Sequence, residues 1–136
     1  MGMHVTSPVT LGALVQVAQR ATALDASVTF YQEVLGARLM GKFDPPGIAL
    51  VELGGVRLLL ESRASSATLY FRVQDLNSAY AALQQRGDVE LVGEPHLVHR
   101  DDAGQFGTAG EEEWMTFVRD PSGNLIGFIE RRPPVT

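Results

Sequence analysis

The 136-residue chain has no cysteine. This excludes disulfides, thiolate nucleophiles and zinc–thiolate centres. It has one Trp, three Tyr and six Phe, so each aromatic outside the core is a candidate for function. No apolar run approaches the roughly 20 residues of a membrane helix. The N-terminus lacks the basic and apolar regions of a signal peptide. These absences make the cytoplasm the expected location and a membrane an unexpected partner. A net charge of -5 argues against nucleic acid and suits a neutral or cationic small molecule. No glycine-rich phosphate loop, nucleophile elbow or paired catalytic carboxylates are present.

The length fits one domain with its own core. Residues 1–10 read as a disordered or extended start. Met1 to Thr6 also fits the short, common pattern for N-myristoylation. The domain spans 11–131. Leu11 to Gln19 reads as a strand. A helix follows from Leu24 to Leu35, with Thr22 as N-cap and Gly36 after its end. Strands follow at Arg38 to Lys42, Ile48 to Leu53 and Val56 to Glu61. The order then repeats. Thr68 to Val73 is an alternating strand, and Asp75 caps a helix that Gly87 ends. Strands lie near Glu90 to Val98, Trp114 to Arg119 and Asn124 to Glu130. Two modules, about 11–62 and 66–131, thus share the order strand, helix, three strands. The segment Asp101 to Glu113 reads as a loop, either plain or a lid. Its Glu111-Glu112-Glu113 run reads as solvated.

Alternation assigns strand faces. Leu69, Phe71 and Val73 belong under the helices, which leaves Thr68, Tyr70 and Arg72 on the opposite face. Gln16 points the same way. Matching the modules adds Arg57, Leu59 and Glu61. On the last strand Ile126 and Phe128 pack inward, and Leu125, Gly127 and Ile129 face the other side. Arg57 or Arg72 pairs with Glu61, or these groups sit at a wet rim, or they contact a ligand's polar groups. His96 and His99, three apart, fall on opposite faces of a regular strand and could share a metal only across a bulge.

The run Asp120-Pro121-Ser122-Gly123-Asn124 and the helix Ser27 to Gly36 resemble the glyoxalase I, bleomycin-resistance and ring-cleaving dioxygenase group, the vicinal-oxygen-chelate superfamily. The resemblance covers about Leu11 to Glu130. It implies an α+β fold of two βαβββ modules, a cup-shaped curved mixed sheet with helices outside. Ligands would bind in the cup, and edge strands would favour a homodimer. Metal-using members place ligands at four inward positions, which fall here on Gln16, Leu59, Thr68 and Gly127. That set is too poor in donors for a catalytic metal, so no metal or other cofactor is expected.

The resulting expectation is a metal-free protein that holds a small, partly aromatic, neutral or cationic molecule. Its ligand-binding residues would be Gln16, Leu59, Glu61, Thr68, Tyr70, Arg72 and Trp114, although Trp114 fits core or dimer packing equally well. The alternative is a lyase, isomerase or dioxygenase using Gln16, Glu61 and His96 or His99. No catalytic residue is assigned.

Overall fold

The computed structural model describes residues 13–135. The expected loose start, the myristoylation pattern and the beginning of the first strand at Leu11 lie outside them.

Module one comprises β1 (Gln16–Arg20), α1 (Leu24–Glu33), β2 (Arg38–Phe43), β3 (Ile48–Leu53) and β4 (Val56–Glu61). Module two comprises β5 (Leu69–Arg72), α2 (Leu76–Arg86), β6 (Glu90–Asp101), β7 (Glu111–Arg119) and β8 (Leu125–Arg132). Each module forms one mixed sheet, ordered β1-β4-β3-β2 and β5-β8-β7-β6. In each, the first strand runs parallel to the last and the other pairs are antiparallel. The α+β, twice-repeated βαβββ order is the one anticipated.

Local chemistry explains most boundaries. The Asp75 side chain accepts the Ser78 N–H at 3.1 Å and starts α2. Gly87 ends it with φ 79°, a conformation that side chains with a Cβ rarely adopt. Thr22 does not cap α1 as expected. Ala23 holds that position without a side-chain bond, and Thr22 instead donates its N–H to Ser122 Oγ at 2.9 Å. The helix also ends at Glu33, with Val34 as its C-cap.

Two strands are longer than sequence suggested. β6 runs on to Asp101 and β7 starts at Glu111, so the acidic run is strand, and the loop shrinks to 102–110. Charge pairing extends the ladder. Arg100 donates to Glu112 at 2.7 Å, and Arg131 of β8 reaches Glu111 and Glu113. These carboxylates are partnered rather than merely solvated.

The helix-facing sides of both sheets feed one core. Leu58, Leu60, Val51 and Ala49 meet Tyr31 and Val28 from module one, and Val118, Ile126 and Leu76 from module two join them. Among the described residues no backbone ladder joins the sheets. Side chains do so instead. The Gln19 amide, fully buried, donates to Ala67 O at 3.1 Å and accepts the Ala67 N–H at 2.8 Å. Asn124 Nδ2 donates to Arg20 O at 2.7 Å, and Ser66 Oγ donates to Asn124 Oδ1. Tyr31 donates to Asp120. The Asp-Pro-Ser-Gly-Asn turn is therefore the clasp between modules. Among the described residues no helix is long and apolar enough to cross a membrane.

Candidate functional site

The site is built on the sheet faces turned away from the helices. Burial on β4 and β5 follows the faces expected from module matching and from alternation respectively. Leu58 and Leu60 are buried, so Arg57, Leu59 and Glu61 face the other way. Leu69 and Phe71 pack against the core, whereas Tyr70 and Arg72 are exposed on the open face. Gln16 and Thr68 are exposed as well.

The most developed part of this face lies on module two. Tyr70 stands opposite Gly127 in the β5–β8 ladder, and Phe117 stands opposite Gly127 from β7. Both rings lean over the glycine. A Cβ there would meet Tyr70 Cδ1 at 2.8 Å and Phe117 Cε1 at 2.9 Å. The two rings pack edge to face, with centroids 6.0 Å apart, a favoured aromatic geometry. His96 extends the row, with its ring 6.5 Å from Phe117. Met115, opposite His96 in the ladder, shares this face.

A bulge brings the second histidine to the same side. Leu97 pairs with Trp114 and His99 with Glu113, so one extra residue, Val98, interrupts the alternation. Both histidines therefore lie on the open face, and His99 packs edge-on against Phe106 of the 102–110 loop at 5.9 Å. The expectation of opposite faces fails for this reason. Sequence carries no signal for the bulge.

Next to this row lies an ionic cluster. Arg131 Nη2 donates to Asp101 at 3.0 Å, Nε to Glu111 at 3.0 Å and Nη1 to Glu113 at 2.8 Å. Asp101 also accepts the Gln105 and Phe106 N–H groups. Burial pushes the Asp101 carboxyl up. The Phe106 N–H, the Arg131 guanidinium and the Gln105 N–H together outweigh burial and hold it below the usual carboxylate range. The hydrogen bonds that Arg131 donates to Asp101 and Glu111 raise its pKa. Gly107 lies against the guanidinium, where a Cβ would come within 2.8 Å of Nη2. The loop is thus pinned at its base. A cavity of about 440 Å³ opens between it and β5, lined by Arg72, Gln74, Phe106, Thr108, Glu111 and Arg131.

Trp114 is not with these groups. It shares the parity of Val118, and hence the helix side of β7. Its indole N–H donates to Glu112 at 3.0 Å, and Arg132 lies 4.1 Å above its ring. Counting parity back from Val118 would have placed it there, and would have put Phe117 and Met115 on the open face. Glu61 is also apart from the aromatic row. It lines a separate cavity of about 350 Å³ with Pro46, Ile48 and Arg63. Among the described residues Glu61 makes no salt bridge with Arg57 or Arg72.

The four family metal positions offer one amide (Gln16), one hydroxyl (Thr68), one alkyl chain (Leu59) and no side chain (Gly127). Two aromatic rings fill the space above the last. Among the described residues no three His, Asp or Glu side chains are grouped as metal donors. These residues do not fit the family's metal.

Solved structures with this architecture include a Salmonella typhimurium virulence protein (TM-score 0.69, 22% identity, covering 90% of this chain and 98% of that one). Lactoylglutathione lyase from Agrobacterium tumefaciens superposes with TM-score 0.66 at 21% identity, covering 89% and 95%. TioX from a Micromonospora species does so with TM-score 0.62 at 19% identity, covering 88% and 98%. No curated protein sequence matches the chain significantly. The family model described as Glyoxalase/Bleomycin resistance protein/Dioxygenase superfamily matches residues 13–128. With nearly the whole described chain matched, this protein belongs to that superfamily.

Proposed function

We propose that the protein binds a small, partly aromatic, neutral or cationic molecule on the open sheet face, without a metal at the family positions. The observation that carries this reading is the pair of rings closed over Gly127. An aromatic platform stands where metal-using members have a carboxylate. Tyr70, Phe117 and His96 supply stacking surface. Glu111 and Glu113, which share a single guanidinium with Asp101, favour positive charge beside it. Arg72, Gln16 and Thr68 are exposed polar groups able to orient a ligand.

We also propose a homodimer. Met40 and Phe43 on outer strand β2, and Leu97 and Val98 on outer strand β6, are exposed apolar side chains on free edges.

The test is a thermal-shift screen of planar aromatic compounds, cationic and neutral, repeated on Tyr70→Ala. Stabilisation of the wild type that the variant loses supports the reading. A screen without any shift, or hits that ignore Tyr70, would refute it. Sedimentation velocity tests the dimer.

A further inference from the structure

A cavity of about 520 Å³ is lined by residues of both modules. Leu35 follows α1, Leu53 ends β3, Phe71 lies on β5 and Phe128 on β8. The α2 wall is a single stripe, Ala79, Ala82, Leu83 and Arg86, at helical spacing. Two of its four positions are alanine, which leaves room between the helix and the opposite wall. Small-molecule sites have this character: roughly 300–1,000 Å³, mostly apolar, with a few polar groups. Arg72 and Val73 line this cavity and also the 440 Å³ cavity beside loop 102–110. The two cavities therefore adjoin at the end of β5, whose last residue is Arg72.

The charged groups of the two linings decide the class of ligand. The carboxylates among them, Glu33 and Glu111, are held by Arg86 at 3.3 Å and by Arg131 at 3.0 Å. Those two guanidiniums are engaged further, Arg86 with Asp88 and Arg131 with Asp101 and Glu113. Arg72 is the cation left over. Among the described residues its guanidinium makes no salt bridge. A guanidinium presents a planar fork of donors that matches a carboxylate bidentately. One free fork at the mouth of an apolar cavity calls for a ligand with one anionic head and a greasy body. We infer that the joined cavities bind an aliphatic monocarboxylate, its chain against the α2 stripe and its carboxylate on Arg72. This site shares Arg72 with the open face but does not depend on the aromatic platform at Gly127.

The test is methyl NMR of the full-length protein titrated with decanoate below its micelle-forming concentration. Decanol and decyltrimethylammonium are the uncharged and cationic controls. Shifts are expected at Leu35, Leu53 and Leu83, with Leu59 and Leu125 of the open face unmoved. Affinity should rise from octanoate to decanoate by at most about fourfold per methylene, the value for full burial. Arg72→Gln should weaken decanoate roughly tenfold, the low end for a charge-assisted hydrogen bond, and leave decanol within about twofold. Ala82→Trp should abolish binding by filling the cavity, and Ala79→Leu serves the same purpose if the larger residue is not tolerated. Absent shifts, shifts at Leu59 and Leu125, or binding that survives both filling variants would overturn the inference. So would decanoate affinity indifferent to Arg72→Gln, or decyltrimethylammonium binding as tightly as decanoate. Shifts that follow protein concentration instead of decanoate would overturn it too, since the groove would then be a contact between copies.

Discussion

Tyr31 and Asp120 stand 89 positions apart, yet the phenol donates to the carboxylate at 2.9 Å inside the inter-module core. Burial raises the Tyr31 pKa, and the Asp120 charge and hydrogen bond reinforce the shift. The phenol is thus a permanent donor at any physiological pH. Tyr31→Phe removes one donor from Asp120 while leaving those from Ser122, Gly-flanked Asn124 N–H and the Asn124 amide. A loss of about 1.5–3 kcal/mol is expected, the range for a hydrogen bond to a charged group. Urea unfolding with an unchanged slope would read it out.

Gln19 bridges the same seam by a different route. Its amide acts as a substitute for a strand, both donating to and accepting from Ala67. Gln19→Leu keeps the volume and strands the Ala67 backbone groups. A cost of about 1–3 kcal/mol is expected from leaving them unpaired. Hydrogen exchange should accelerate first at Ala67 and along β5, ahead of β3 and β4.

Asp101 makes loop 102–110 sensitive to acid. Its carboxyl is held below the usual range when folded. Its stabilising contribution is therefore complete above the unfolded value of about 4 and is lost as pH falls through the lower folded value. The stability gap between wild type and Asp101→Asn should be widest near neutrality and should close below about pH 4. A gap that stays constant down to pH 2 would show that the charge plays no part.

Trp114 and Tyr70 should separate cleanly in binding experiments. Tyr70→Ala is expected to abolish ligand-induced stabilisation. Trp114→Phe, on the far side of β7, should leave it intact while weakening the Arg132 contact. Equal loss in both variants would place the ligand elsewhere. Trp114 emission should also change little when the open face is occupied.

The faces of β4 came from matching the two modules, but the sequence by itself determined the two-module order, the caps at Asp75 and Gly87, the reversing turn and the faces of β5. These depend on local torsional preferences and on alternation, which act within a few residues. Tertiary structure alone decided the rest. Only the ladder shows that Val98 bulges and turns His99 to the side of His96. Only the structure shows the acidic run paired within the sheet, with Arg100 and Arg131 brought alongside from other strands. Only the docking of a turn against α1 shows why Asp120 and Asn124 matter, because their partners lie about a hundred residues upstream. Pairings across that distance are set by how two sheets pack, and packing leaves no local trace in the chain.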